Sequence, residues 1–446
     1  MYKKVIMVGA LFFSTILSGV SSAQGVSVPS IPQVNLSTNA AEKISAENVR
    51  NISKLNIAEA AKPKESAKGA LQERQLHTSA VQATYNDNPN NALTIGTGQV
   101  YYDYITVEGG EKWYTFQTTT AGKLTAILQT VQSASVDYDL HLYRLDLDTY
   151  QLVEEYASTY GPQMNEQLSR IAPAGIYYLA VNSYAGSDDT NPFYFEVLES
   201  PTYDNAEPDD NYAYANVKTG AFQVSQTIDN DFDQDWIKYT VSADKQFTIS
   251  FTNPAAGTTY QVDIYNQNLS LLGTITQNTS TDFNISAGTY YFRVISLSSS
   301  NASQPYTLSI GSKATQVTVN NVASDPGVSG KVNYGYGSKY RIKNYITVSG
   351  VAKDSTGAAA AYVPITVVIQ TTINNKVYSA ATTTDANGAF TASINNIQPA
   401  SGFYSYDNWV SIHYFDIIPL QINSNSTLSS NETSLYHFAY SIYSPH

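Results

Sequence analysis

Four blocks of sequence occur twice in this chain, in the same order. Lys112-Trp113-Tyr114-Thr115-Phe116 is answered by Asp235-Trp236-Ile237-Lys238-Tyr239, and Val136-Asp137-Tyr138-Asp139-Leu140-His141-Leu142-Tyr143 by Tyr260-Gln261-Val262-Asp263-Ile264-Tyr265. Pro173-Ala174-Gly175-Ile176-Tyr177-Tyr178 is then answered by Ser286-Ala287-Gly288-Thr289-Tyr290-Tyr291, and Asn191-Pro192-Phe193-Tyr194-Phe195 by Gln304-Pro305-Tyr306-Thr307-Leu308. Ordered self-similarity of this kind means a repeated structural unit. The blocks are short runs of Val, Ile, Thr, Tyr and Phe bounded by Gly, Pro, Asn and Asp, the chemistry of strands and tight turns. Two copies, at 84–200 and 203–312, are therefore expected to fold as all-β sandwiches.

The rest of the chain takes its place around this pair. With 446 residues there is room for about three domains. Residues 1–23 read as a secretory signal peptide: Lys3 and Lys4, an apolar run from Val5 to Leu17, then Ser21-Ser22-Ala23 as a cleavage site. Residues 24–83 read as a polar spacer, either disordered or carrying a short amphipathic helix between about Ala40 and Ala61 on Val49, Ile52, Leu55 and Ile57. No later apolar run is long enough to span a bilayer, and the absence of cysteine excludes disulfides and thiolate metal sites. The localisation expected is secreted, outside the cell.

Net charge is -13, and 84–312 carry 26 acidic against 8 basic side chains. Such a surface repels nucleic acid and anionic membranes. The acids peak between Glu207 and Trp236, where EPDDN and DNDFDQDW stand on either side of a turn and a strand. On an extended segment Asp231, Asp233 and Asp235 would share one face. Like charges this close repel, and a hard cation held by several oxygens relieves them, so calcium is the expected cofactor.

These residues closely resemble the bacterial pre-peptidase C-terminal domain, a small sandwich appended to secreted peptidases and related to the calcium-binding modules of bacterial collagenases. The resemblance covers both copies, implies jelly-roll-type sandwiches, and proposes Glu207, Asp209, Asp210, Asn211, Asp231, Asp233 and Asp235 as calcium ligands. The first copy departs from it. Asp87-Asn88-Pro89-Asn90-Asn91 replaces EPDDN, and Lys112 stands inside the cluster, so little or no calcium binding is expected there. Asp137 and Asp139, on either side of Tyr138, are expected to be solvated.

Residues 314–446 form a third sandwich. The strand run Tyr345–Ala352, the turn Asp354-Ser355-Thr356-Gly357, the strand run Val363–Ile369 and the hairpin Asp385-Ala386-Asn387-Gly388 resemble a bacterial immunoglobulin-like or carboxypeptidase-regulatory-like domain. In that resemblance Asp385, Asn387 and Gly388 close a tight turn.

Catalytic signatures are missing: the five histidines show no His-x-x-x-His spacing, and there is no Gly-x-Ser-x-Gly elbow. His141 and His413 are read as structural. Tyrosine is unusually abundant, 36 copies against 15 Phe. It fills cross-strand pairs in sheets, and as an exposed ring with a polar tip it also suits a binding face. The clusters Tyr334/Tyr336/Tyr340, Tyr404/Tyr406/Trp409 and Tyr436/Tyr440/Tyr443 are the candidates for such a face. The expectation is a non-enzymatic, modular bacterial adhesion or substrate-binding protein on an extracellular polymer or protein surface, with structural calcium in the second sandwich. Two alternatives stand beside it: a hydrolase or peptidase whose site converges only in space, and a chaperone or inhibitor of a separate secreted peptidase acting through the N-terminal segment.

Overall fold

The computed structural model describes residues 86–324, 331–333, 335, 337–372, 375–397 and 412–441, with two short strands, Val5–Met7 and Ser79–Ala80. The signal peptide and spacer helix fall outside the described residues except for these strands. Tyr334, Tyr336, Tyr404, Tyr406, Trp409 and Tyr443 lie outside them too. Among the described residues strands make up 62% and helix 2%, so the class is all-β.

Three two-sheet units follow one another. In the first, one sheet runs Val5–Met7, Gln151–Ser158, Asp137–Asp146, Gly175–Ala185, Glu111–Thr118, Leu93–Thr94 across its width. Its facing sheet runs Ser79–Ala80, Val100–Ile105, Asp188–Ser200, Gly122–Gln129, Glu166–Ala172. Alternation along each strand sends one set of side chains inward, and Tyr114, Phe116, Leu128, Tyr138, Leu140, Tyr177, Phe193 and Phe195 meet in a single core.

Apart from Val5–Met7 and Ser79–Ala80, which have no counterpart, the second unit repeats that order strand for strand. Asn216–Thr219, Gln234–Val241, Gly288–Ser296, Tyr260–Asn266 and Leu271–Thr276 form one sheet, and Phe222–Ile228, Asn301–Ser312, Lys245–Thr252 and Thr279–Ile285 the other. Even the parallel edge pairings agree, Leu93–Thr94 on Glu111–Thr118 and Asn216–Thr219 on Gln234–Val241. The first three repeated blocks are adjacent strands of one sheet in each unit, and the fourth is the central strand of the facing sheet.

The third unit pairs a sheet of Ala389–Ile394, Ile346–Lys353, Gln316–Ala323 and Ser429–Ser430 with one built on Lys331–Asn333, Ser338–Ile342, Ser434–Ser441, Ile412–Ser424, Pro364–Gln370 and Val377–Thr383. Its core is aliphatic, with Val348, Val363, Ile365, Val367, Ile369 and Ile418 buried. Asp385 and Gly388 do close a tight turn: Gly388 N donates to Asp385 O at 3.0 Å, and Asp385 Oδ1 accepts from the backbone N of Asn387 and Ala389. Gly388 needs its φ of +73°, and a Cβ there would meet Ala352 O at 2.6 Å.

Two expectations are corrected. Asp137 and Asp139 are buried, not solvated, because strand Asp137–Asp146 lies between two neighbours in its sheet and the pair sits near buried Glu166. Tyr436, one of the residues read as a possible binding face, is fully buried, with its Oη donating to Gly337 O at 2.6 Å. Most of the largest fully buried side chains are likewise tyrosines, Tyr114, Tyr138, Tyr177, Tyr178, Tyr239, Tyr260 and Tyr306 among them. Eleven of the described tyrosines are buried, and several of them, such as Tyr114 and Tyr306, donate their hydroxyl to a buried carboxylate.

Candidate metal centre

The acidic segment of the second unit is not extended throughout. Residues 229–233 turn, with Asp233 N donating to Asn230 O at 3.1 Å and Phe232 N to Asn230 Oδ1 at 3.0 Å, and the strand begins only at Gln234. The single face expected for Asp231, Asp233 and Asp235 is therefore broken. Asp231 leaves the group, its Oδ1 accepting from Ser300 N and Oγ at 3.0 and 2.9 Å. Asn211 leaves it too: Oδ1 caps the short 3-10 helix Tyr212–Tyr214, and Nδ2 donates to Tyr160 Oη.

What remains is a buried nest of six carboxylates. Trp236 N donates to Asp209 O at 3.0 Å, which ties the EPDD turn to the strand carrying Asp235. Gln226 Nε2 donates to Asp209 Oδ2 at 3.0 Å, and Tyr306 Oη to Asp235 Oδ2 at 2.6 Å. The other oxygens, Asp209 Oδ1 and Asp235 Oδ1, are buried with no hydrogen-bond partner. Carboxylate oxygens of Glu207, Asp209 and Asp235 lie within 4.8 Å of one another, and so do those of Glu207, Asp229 and Asp233. Glu207 belongs to both groups. Asp229 was missed by sequence reasoning, although it stands in the same acidic run.

The second group already holds a cation, and it comes from the other unit. Lys123, on strand Gly122–Gln129, places Nζ 2.8 Å from Glu207 Oε1, 2.9 Å from Asp210 Oδ2, 2.8 Å from Asp229 Oδ2 and 2.6 Å from Asp233 Oδ1. The Lys123 side chain is wholly shielded from solvent. Its carboxylates are braced in turn: Asp229 Oδ1 accepts from Ser200 Oγ at 2.5 Å and Asn230 Nδ2 at 2.7 Å, while Asp233 Oδ2 accepts from Asp229 N at 2.6 Å. Around this ion cluster the two units interlock. Gln167 Nε2 donates to Phe232 O at 2.6 Å, Gln234 Nε2 to Gln167 Oε1 at 2.9 Å, and Phe232 packs with Val100 and Ile127.

The electrostatics follow from burial and crowding. Burial works to lower Lys123, but Asp233, Asp210, Asp229 and Glu207 override it and hold the ammonium well above its ordinary range. Burial and then Asp210 push Glu207 up to about 9 and Asp209 up to about 7. Burial, then Asp209 and Glu207, raise Asp235 well above the usual carboxylate range. With Lys123 as the one cation among the described residues in contact with it, the nest favours protons at its far side. A divalent ion held by Glu207, Asp209 and Asp235 fits there, since the donors are hard oxygens and two of them are buried without partners.

In the first unit the equivalent place is filled from within. Trp113 N donates to Asn86 O as Trp236 N does to Asp209 O, so Asn86 stands for Asp209 and Lys112 for Asp235. Lys112 Nζ lies 3.2 Å from Asn86 Oδ1 and 3.8 Å from Asp103 Oδ1, and Asp103 Oδ2 accepts from Tyr114 Oη at 2.9 Å. Of the histidines, His141 Nδ1 lies 2.8 Å from Glu154 Oε1 with its ring stacked on Tyr143, and His437 is buried.

Fold and site together define an all-β protein of successive two-sheet units, the second carrying a buried acidic nest that engages the first. The chain belongs to the family of the uncharacterized protein YlqB of Bacillus subtilis (strain 168), to which it is 42% identical over 128 residues, 28% of this chain and 79% of that protein. No family model matches the chain. Among solved structures it is similar to the pre-peptidase C-terminal domain of collagenase from Bacillus anthracis, at 19% identity and a TM-score of 0.19, covering 22% of this chain and 93% of that one. It is also similar to the PBSX exported protein XepA, at 9% identity and a TM-score of 0.19, covering 48% and 87%. Likenesses at these TM-scores carry no statement about function. No helix among the described residues is long and apolar enough to cross a membrane.

Proposed function

We propose that this chain is a secreted, non-catalytic, modular protein that attaches to an extracellular polymer or protein surface, and that its second unit holds a structural calcium ion on Glu207, Asp209 and Asp235. The observation that carries the metal reading is the pair of buried, unpartnered oxygens, Asp209 Oδ1 and Asp235 Oδ1, facing Glu207. Buried carboxylate oxygens without partners are costly, and a divalent cation bound there offsets that cost. Calcium would act by locking the EPDD turn onto the strand that begins at Gln234, and no reaction step is assigned to it. The immunoglobulin-like resemblance of the third unit supports the attachment role.

Calorimetric titration of calcium into the full-length chain tests the metal, with Asp235→Asn alongside. Binding heat and a raised melting temperature, both lost in the variant, are the expected result, whereas no heat with the unaltered chain removes the site. Co-sedimentation with insoluble peptidoglycan, cellulose and collagen tests attachment; failure to sediment with all three counts against it.

A further inference from the structure

We infer that the acidic nest is a two-cation site whose second cation is the ammonium of Lys123, so that calcium binding and the docking of the first two units are one coupled event. This rests on the calcium reading above and adds to it the identity and source of the other cation. The nest divides in two by its contacts. Lys123 Nζ hydrogen-bonds Asp229 Oδ2 and Asp233 Oδ1 and lies 2.8 and 2.9 Å from Glu207 Oε1 and Asp210 Oδ2 as ion pairs, while Asp209 Oδ1 and Asp235 Oδ1 have neither a hydrogen bond nor an ion pair. An ammonium has three N–H donors. They point into the near half, and the far half is left with two buried, unpartnered oxygens and no cation.

Six carboxylates against one lysine leave the nest strongly negative, a state that a dry interior does not keep. A divalent ion on the far half reduces that excess without displacing the ammonium, because each half has its own oxygens and only Glu207 is shared. Lysine in this role has a precedent in the same chain: Lys112 fills the equivalent place of the first unit beside Asn86 and Asp103. There the lysine stands on the unit's own strand. In the second unit it arrives on strand Gly122–Gln129 of the neighbour, so filling the nest requires the units to be docked.

Two consequences are measurable. Lys123 limits the nest to one calcium ion, and Lys123→Met opens the Glu207/Asp229/Asp233 group to a second. Calcium also tightens the docked state, so it slows modification of the Lys123 amine. Native mass spectrometry of the full-length chain in calcium should show one ion bound to the unaltered protein and two to Lys123→Met. Acetylation followed by peptide mass spectrometry should show Lys123 reacting at least about tenfold more slowly than exposed Lys376, as burial requires, and more slowly still with calcium.

Two ions on the unaltered chain, or one on both proteins, would overturn the two-cation site while leaving the calcium reading intact. No ion on the unaltered chain removes both. If Lys123→Met does not fold, the labelling of the unaltered chain decides: Lys123 acetylation that is unchanged or faster in calcium means that calcium does not share the nest with the ammonium, and the inference fails.

Discussion

Replacing Lys123 with methionine removes a charge and keeps most of the side chain's volume. An exposed ion pair is worth at most about 1 kcal/mol, because water replaces either partner. Lys123 is in the opposite situation, shielded from solvent and in contact with four carboxylates at 2.6 to 2.9 Å. Removing one side of a buried ion cluster costs about 3–5 kcal/mol, mostly because the other side is left uncompensated. With a urea dependence of about 1–3 kcal/mol per molar, the midpoint should fall by about 1–5 M. Trp113 and Trp236, one in each docked unit and both buried, report that transition by fluorescence. Calcium at millimolar concentration should restore much of the loss, since the vacated oxygens then accept the metal. Lys245→Met is the control: its side chain is 41% exposed, 3.3 Å from Asp354, and its loss should cost under about 1 kcal/mol. If Lys123→Met moves the midpoint no more than Lys245→Met does, the nest is not held together by the ammonium and the reasoning is refuted.

Other consequences follow from particular contacts. Burial raises Glu166 well above its ordinary value, so the folded state holds that proton more tightly than the unfolded one. The stability this contributes is complete below the unfolded value near 4.5 and is lost as pH rises from there toward the folded value. Relative to the unaltered chain, Glu166→Gln should therefore gain stability between pH 4 and pH 8, and urea midpoints across that range that move the opposite way would refute it. A Cβ at Gly311 would lie 1.9 Å from Ala361 O, so Gly311→Ala must separate the second and third units there, at a cost of about 1–3 kcal/mol in thermal unfolding. An unchanged midpoint would show that the contact is slack. Arg293 pairs with Asp263 and lies over the rings of Trp236 and Tyr265 at 5.5 and 5.4 Å. Arg293→Lys keeps the charge but loses the flat stacked group, and should cost about 1–2 kcal/mol with a shift in Trp236 emission.

Much of the fold was legible in the linear chain, because strand periodicity and turn chemistry are local. The four repeated blocks became strands in equivalent sheet positions of the two units, and Asp385-Ala386-Asn387-Gly388 became a turn. Glu207, Asp209, Asp210, Asp233 and Asp235 were likewise readable as one group, since like charges at short spacing imply a shared neutralising partner. Asn211 and Asp231 are engaged elsewhere, Asn211 by Ala213 N and Asp231 by Ser300, and spacing alone does not distinguish such partners from a metal. Tyrosines that the chain order leaves available for binding are partly buried by the stacking of the sheets, Tyr436 among them.

Nothing near Lys123 marks it as a ligand of the acidic nest. It is one lysine in an ordinary apolar strand, 110 residues from Asp233. The sequence by itself placed Glu207, Asp209, Asp210, Asp233 and Asp235 in one short acidic stretch, where crowded like charges call for a partner. Which cation, and from which unit, was decided by the docking of two sandwiches, because a charge is neutralised by whatever lies within about 3 Å of it, and that neighbour is set by the fold and not by chain order.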